Sequence, residues 1–158
     1  MIVTEIIGNR RDLSEEELST VTQDFLSLGN LELVKRIFRG HTEAGEEIGL
    51  RLPPSSPELQ DGDILARDNE RIIFVRVKPT DVLVIQPESI EEMGKVAHNL
   101  GNRHLQAQFF GADTEYGREV MVVQYDHTVE DFLKHVGVAY VREDHVMPKA
   151  FRHAEHTH

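Results

Sequence analysis

The chain has 158 residues, of which 39% are hydrophobic and 28% charged, and this composition excludes a disordered or collagen-like protein. Lys and Arg number 17 against 28 Asp and Glu, so the formal net charge is −11, which argues against nucleic-acid binding because such a surface repels phosphate. Cysteine is absent, which excludes disulfides and thiolate metal sites. The chain start lacks a signal-peptide pattern and no apolar run reaches the ~20 residues of a membrane span, so we expect a cytoplasmic protein without membrane contacts.

Residues 1–76 predict a domain made mainly of β-strands. Short apolar or alternating runs, which are typical of strands, occupy residues 34–38, 47–52, 63–66 and 72–77. The polar residues 67–71 predict a hairpin turn between the last two runs. Ser14, followed three residues later by Glu17, has the pattern of a capping box that opens a short helix, while residues 21–28 fit a strand equally well.

The second half of the chain predicts two helices among four strands. Strands are predicted at residues 81–86, 106–110, 119–125 and 138–141. After the first strand, apolar residues recur at the spacing of one helix face, and Gly101 is a natural end for this helix. The residues of this face are Ile90, Met93, Ala97 and Leu100.

The second predicted helix begins at a cap formed by Thr128 and Asp131 and ends at Gly137. Its apolar face comprises Val129, Phe132, Leu133 and Val136. The resulting order is βαββαβ, the ferredoxin-like split arrangement. The sequence therefore predicts an α+β protein with a β-rich domain at residues 1–76, a ferredoxin-like domain at residues 77–150 and a flexible histidine-containing tail at residues 151–158.

His104 is the first candidate for a functional role. It lies four residues beyond Leu100 and continues the apolar helix face, unless Gly101 turns the chain away. A histidine buried in the core or at a subunit contact explains this position as well as a metal ligand does. A single imidazole makes a weak metal site, because Ni²⁺ and Zn²⁺ require several donors. Two-fold symmetry would supply a second His104, so that the site forms only in a dimer.

The end of the chain is the second candidate, because His153, His156 and His158 lie within its last six residues. In an extended chain the His-x-His pair places both imidazoles on the same side, where they could share one cation. Glu155 could add an oxygen donor, and His145, which follows two acidic residues, could be a further weak donor. The alternative is a solvated tail without a role.

The remaining histidines have no partners at an informative spacing and are interpreted as surface residues: His41, His98, His127 and His135. The chain also lacks the Gly-x-Ser-x-Gly, His-Glu-x-x-His and phosphate-binding glycine patterns. We therefore expect a binding protein and not an enzyme.

Several stretches of the sequence have the form of known motifs. Residues 93–97 (MGKVA), followed by residues 101–104 (GNRH), resemble the signature helix of the urease accessory nickel chaperone family known as UreE. Residues 35–42 (KRIFRGHT) are similar to its N-terminal motif, and residues 59–65 are similar to its L-x-x-G-D-x-L strand. Residues 131–137 match its second helix, and the closing His-x-His resembles the tails of some members. Together these matches cover nearly the whole chain in the expected order.

The resemblance implies a partner-binding first domain and a metal-binding second domain through which the chain forms a homodimer. It implies that His104 of each subunit holds one Ni²⁺, and that the tail histidines His156, His158 and His153 complete the site. It also implies delivery of nickel to the urease apoprotein together with other urease accessory proteins, including a GTPase. Metal could further join two dimers.

Two departures from the family limit what is carried over. Many members end in a long polyhistidine tract, whereas this chain has three terminal histidines, so we expect one or two ions per dimer instead of nickel storage. Many also have a histidine close before the GNRH motif, and His98 is one position away from that place, so it is not counted as a ligand.

Other functions remain open from the residues themselves. Nitrogen and oxygen donors also admit Zn²⁺ and Cu²⁺, so a general divalent-metal carrier is one alternative and nickel follows from the resemblance alone. A metal-independent protein-interaction module is another. A metal hydrolase would need a carboxylate base beside the ion, and no spacing indicates one. For a metal carrier, affinity should fall as the pH drops through the imidazole pKa of ~6.5.

Overall fold

The computed structural model describes residues 1–151, which fold into two compact units. The first unit comprises Met1–Pro79 together with Val146–Ala150, and the second is built on Thr80–His145. The chain thus leaves the first unit after Pro79 and returns to it for five residues near its end. No pattern in the sequence indicated this return. No helix among the described residues is both long and apolar enough to cross a membrane.

The first unit contains two three-stranded sheets and three short helical segments. Its helical segments are a 3₁₀ turn at Arg10–Asp12, α1 at Glu15–Ser19 and α2 at Asn30–Leu33. Its strands are β1 (Ile2–Val3), β2 (Thr22–Leu28), β3 (Ile37–His41), β4 (Glu47–Arg51), β5 (Ile64–Arg67) and β6 (Arg71–Val77). The sheet orders are β1-β4-β3 and β2-β6-β5. The pairs β1–β4 and β2–β6 are parallel, and the other two are antiparallel.

Most of the elements predicted for this unit are confirmed. Both alternatives at the chain start are correct, because Ser14 and Glu17 form the capping box of α1 and the following residues form β2. The hairpin turn is also confirmed, since the Asp68 carboxylate accepts hydrogen bonds from the amides of Glu70 and Arg71. The strand predicted at residues 34–38 is wrong in position. A helical turn occupies Asn30–Leu33, so β3 begins only at Ile37.

The core of the first unit lies between its sheets. It is formed by aliphatic residues from β2, β4 and β6, among them Leu26, Leu28, Ile48, Leu50 and Val75. Ala150 is also buried in this cluster. A smaller cluster of Ile64, Ile72 and Phe74 lies beneath α1 residue Leu18. Burial of apolar surface on this scale is the main force that stabilises the unit.

The second unit is a four-stranded antiparallel sheet with two helices. Its elements are β7 (Thr80–Ile85), α3 (Ile90–Asn102), β8 (Ala107–Phe110), β9 (Val120–Gln124), α4 (His127–Val136) and β10 (Tyr140–His145). The sheet order is β10-β7-β9-β8, so the first and third strands of the unit are neighbours at its centre. This arrangement confirms the predicted ferredoxin-like βαββαβ fold.

The two helices bury one face each against the sheet. Val96 and Leu100 from α3 and Val129 and Leu133 from α4 are almost fully buried. They pack with sheet residues that share one face, namely Leu83, Ile85, Met121 and Val123. The predicted faces are therefore correct at their centres.

Three details of the predicted helices are wrong. Val136 was placed on the buried face of α4 but is 46% exposed, because it is the last residue of that helix. Ile90 was placed on the buried face of α3 but is 92% exposed, because it is the first residue of the helix and lies beyond the edge of the core. The cap of α4 is Asp126 and not Thr128, since the Asp126 carboxylate accepts a hydrogen bond from the Thr128 amide at 2.8 Å. An aspartate two residues earlier in the chain competes successfully for the free amides of the first turn.

Candidate metal centre

The candidate ligand His104 lies in the turn that follows α3. The helix continues through Gly101 and ends at Asn102. The amides of Arg103 and Leu105 then donate to the carbonyl of Leu100 at 3.1 and 3.4 Å. Because Leu100 is fully buried, these bonds attach the turn to the core of the second unit.

His104 itself adopts a left-handed backbone conformation, with φ of 57°. Among residues 1–151 it is the only residue other than glycine with a positive φ. This region is sterically unfavourable for a residue with a β-carbon, although histidine enters it more often than most residues do. Such a conformation persists only where the surrounding structure holds it, and it is concentrated at functional positions.

The imidazole of His104 is exposed, which corrects one of the two interpretations of this residue. The helix ends two residues before His104 and the left-handed conformation redirects the chain, so the side chain does not continue the buried face of α3. Within the described part of the chain, its ring makes no hydrogen bond, ion pair or ring contact. A core histidine is therefore excluded, and the residue is exposed to solvent.

His104 has no companion ligands within the described residues. Over residues 1–151, no three His, Asp or Glu side chains come together so that they could hold a metal ion. One imidazole does not make a tight site for a divalent cation. Any site at His104 must therefore draw its other donors from the residues after 151 or from another molecule.

An exposed aromatic residue lies on the strand that follows His104. β8 begins three residues after His104 and forms one edge of the four-stranded sheet. Phe109 on this strand is 60% exposed. Edge strands with exposed apolar side chains favour association with another chain, because their backbone groups and apolar surface are both unpaired.

The tail histidines lie outside the described residues. His153, His156 and His158, like Glu155, follow Phe151, the last residue that the structure describes. Their assignment as ligands stays a prediction.

His145 occupies a different environment from His104. Its Nε2 lies 2.9 Å from the Glu115 carboxylate, and its ring packs 5.4 Å from that of Tyr116. Glu115 and Tyr116 belong to the connection between β8 and β9, so the histidine attaches this connection to β10. Burial raises the pKa of the Tyr116 hydroxyl to about 12, and the nearby carboxylates of Glu115 and Glu143 add to the shift.

The contact with Glu115 was not predicted, since the sequence associated His145 only with its two acidic neighbours. A histidine held by a carboxylate and a ring is already engaged, so the described residues favour a structural role for it. The four histidines that were interpreted as surface residues are all exposed, as predicted: His41, His98, His127 and His135.

The fold and the site define a two-domain α+β protein in which the exposed imidazole of His104 lies in the turn after the first helix of the second unit. Comparison with protein families gives two matches in tandem. Residues 3–78 match the N-terminal domain of UreE urease accessory protein, and residues 80–158 match its C-terminal domain.

Curated relatives extend over the full length of the chain. A urease accessory protein UreE from Corynebacterium urealyticum is 63% identical over 158 residues, with all of both chains covered. Proteins of the same name from Paenarthrobacter aurescens and from Arthrobacter sp. (strain FB24) are 56% and 55% identical, again over all of both chains. The chain belongs to the UreE family of urease accessory proteins. Its role accordingly lies in urease maturation.

Proposed function

We propose that this chain is a nickel-binding metallochaperone that delivers Ni²⁺ to the urease apoprotein, and that it is not itself an enzyme. The observation that carries the proposal is the exposed imidazole of His104, which has no partner among residues 1–151 and stands on a strained backbone position. Membership of a urease accessory family supports nickel as the cargo.

The nickel site is proposed to form between two copies of the chain. Two His104 imidazoles related by a two-fold axis would supply two nitrogen donors to one ion. The exposed Phe109 on the edge strand β8 supports a contact between copies at this side of the second unit. His156 and His158, with His153 as a further candidate, would complete the coordination from the tail. We expect one or two ions per dimer, and metal could join two dimers.

An imidazole site of this kind suits a carrier because it can release its ion. Only neutral imidazole binds a metal, so protonation competes with nickel. We expect nickel affinity to fall between about pH 8 and about pH 5.5. Affinity that stays constant over this range would contradict an imidazole site.

The donor set alone does not select nickel. Nitrogen and oxygen ligands bind Cu²⁺ more tightly than Ni²⁺ or Zn²⁺ in the absence of geometric control. We therefore expect that Zn²⁺ or Cu²⁺, when added to the purified protein, binds at the same site. The assignment to nickel rests on the family and its connection with urease.

The two units are proposed to have different functions, namely partner binding and metal binding. The strand-rich N-terminal unit would contact the urease apoprotein and the other urease accessory proteins, including a GTPase, in the cytoplasm. The ferredoxin-like unit would bind metal and form the homodimer. The net charge of −11 agrees with a protein that does not contact nucleic acid or membrane lipid.

Native mass spectrometry of a nickel titration tests the proposal, because it reports the oligomeric state and the ion count together. The intact chain is compared with His104→Ala, with a chain ending at Arg152, and with His98→Ala as an exposed-histidine control. We expect one tight ion per dimer, lost in His104→Ala, weakened by the truncation and retained in the control. A dimer that binds nickel equally well without His104 would contradict the proposal and leave a protein-interaction module as the function.

A further inference from the structure

The first unit has an open sheet edge at β3. This strand is the last in the order β1-β4-β3, and among residues 1–151 it pairs only with β4. The amide of Leu52 donates to the carbonyl of Arg36 at 2.8 Å, and the amide of Thr42 donates to the carbonyl of Glu46 at 2.9 Å. Hydrogen-bonded pairs alternate along an antiparallel ladder, so every second residue of β3 directs its N–H and C=O groups away from β4. These residues are Ile37, Arg39 and His41.

The outward backbone groups have no partner in the described part of the chain. No hydrogen bond from residues 1–151 outside the β3–β4 ladder reaches the backbone of Ile37, Arg39 or His41. Their side chains are also exposed, to 78% for Ile37 and 77% for Arg39. β3 therefore offers a row of free donors and acceptors, with accessible side chains on one face of the strand.

The segment that leads into β3 exposes apolar side chains beside the open edge. Leu31 in α2 is 78% exposed, and Val34 between α2 and β3 is also exposed. Together with Ile37 they place three exposed aliphatic side chains within seven residues. Scattered exposed apolar residues need no explanation, but a group beside an unpaired strand marks a surface that associates.

The charge of this segment is opposite to that of the whole protein. Residues 31–39 contain Lys35, Arg36 and Arg39 against Glu32 alone, which gives 3 − 1 = +2 in a chain of net charge −11. Arg39 shares its charge with Glu47 at 3.3 Å, whereas no carboxylate among the described residues pairs with Lys35 or Arg36. A second copy of β3 would bring like charges face to face, which is unfavourable. An acidic strand would meet complementary charge.

We propose that the open edge of β3 binds an extended, acidic segment of a partner protein as an added fourth strand. The partner backbone bonds to the outward groups of Ile37, Arg39 and His41. Its carboxylates face Arg36 and Arg39, and an apolar side chain covers Ile37. Strand addition of this kind draws affinity from main-chain hydrogen bonds and specificity from the alternating side chains. The inference rests on the proposed function, because it names the surface through which the accessory protein engages its partners.

The test uses the urease apoprotein assembled with its other accessory proteins as the probe. Its affinity is measured for the intact chain, for the double variant Ile37→Ser/Arg39→Glu, and for Ile90→Ser/Arg67→Glu as a matched control. Ile90 is more exposed than Ile37, and Arg67 is an exposed arginine on β5, one of the two edge strands of the other sheet. We expect affinity to fall at least roughly tenfold in the first variant and to stay within about twofold in the control.

Hydrogen exchange provides a second readout in the same mixture. The amides of Ile37, Arg39 and His41 should become protected when the probe binds, while the amides of β5 stay unchanged. The inference would be overturned if Ile37→Ser/Arg39→Glu bound the probe as tightly as the intact chain does. It would also be overturned if the β3 amides stayed unprotected in the complex. Conversion of the double variant to a monomer would also overturn it, because β3 would then pair with its own copy.

The two proposals can fail separately. The nickel titration is repeated on the β3 variant, which we expect to bind nickel as the intact chain does. If the intact chain binds no nickel, but the β3 substitutions still weaken binding of the probe, only the metallochaperone function is contradicted. Normal nickel binding without any effect of the β3 substitutions on the probe would overturn the docking surface alone.

Discussion

The two helices of the second unit end in different ways. α4 ends at Val136, and the next residue, Gly137, takes the left-handed conformation with φ of 74°. α3 passes through its own glycine, Gly101, and leaves the left-handed conformation to His104, with φ of 57°. Glycine adopts this region without a steric penalty, whereas a residue with a β-carbon loses about 1–2 kcal/mol there.

The difference shows that stability alone does not explain the end of α3. The chain places a glycine inside α3, where its freedom to adopt a positive φ is not used, and a histidine where a glycine would fit better. The residue that bears the strain is also the exposed imidazole that we propose as the nickel ligand. Backbone strain that coincides with an exposed imidazole supports the proposed role of His104 as a ligand.

The largest expected effect comes from a substitution that separates the backbone conformation of residue 104 from its imidazole. His104→Gly keeps the left-handed turn and removes the imidazole, so nickel affinity should fall by more than the roughly 10- to 100-fold that loss of an outer-shell partner causes. Isothermal titration calorimetry with Ni²⁺ measures the change, and His98→Ala serves as the control. Stability should not fall in His104→Gly, because the unfavourable φ is relieved. Retained nickel binding would show that the strain at residue 104 has no connection with metal.

The second effect compares the two glycines directly. Gly137→Ala forces a β-carbon into the left-handed region and should lower the free energy of unfolding by about 1–2 kcal/mol. Gly101→Ala lies inside α3, where an added β-carbon meets no atom within 4 Å, and should raise it by about 0.5–1 kcal/mol. Urea unfolding of both variants checks this, and equal changes would contradict the assignment of the two helix ends.

A smaller effect concerns the start of α4. Asp126→Ala removes the cap and should destabilise the protein by about 1 kcal/mol, more than Thr128→Ala does. Hydrogen bonds from the Thr128 hydroxyl and amide hold the pKa of Asp126 below its ordinary value. Its contribution is therefore complete above the ordinary carboxyl pKa and is lost as the pH falls through the lowered pKa. Thermal unfolding of both variants near neutral pH and in acid measures this. A difference between Asp126→Ala and the intact chain that persists in strong acid would refute the cap as its source.

The smallest effect is expected at His145. Glu115→Gln weakens one contact between an exposed carboxylate and a half-buried imidazole, so stability should fall by less than about 1 kcal/mol. Nickel affinity should be unchanged, because His145 is engaged within the fold. Chemical denaturation and the calorimetric titration test both statements on one protein sample. A large loss of nickel binding would place His145 among the ligands.

Local patterns predicted the fold where one interaction dominates. The apolar repeat at Val96 and Leu100 is visible because helix packing imposes a spacing on the sequence, and the Ser14–Glu17 capping box is contained within four residues. Sequence patterns did not predict the structure correctly where two neighbouring residues could both serve the same local role. Asp126 and Thr128 are both good caps, and the sequence does not show which amides are free. The position of β3 was missed because α2, a single helical turn, has no distinct period.

The candidate site was predictable only in part. Spacing and the family resemblance selected His104, but spacing left its burial open, since this depends on whether α3 ends before or after that residue. The contact between His145 and Glu115 joins residues 30 positions apart, and no local pattern predicts such a pairing. The charge of residues 31–39 was present in the sequence, but its meaning required the exposure and the pairing of β3.

The return of residues 146–150 to the first unit has a consequence for biosynthesis. Ala150 is part of the same hydrophobic core as residues of β2, β4 and β6. The ribosome adds Ala150 only after it has made Thr80–His145, which form the ferredoxin-like unit. Domains commonly fold in the order of their synthesis, so the second unit can be finished before the first has all of its core residues. A nascent chain that stops after Pro79 would lack Ala150, and protease resistance of the first unit should appear late in translation.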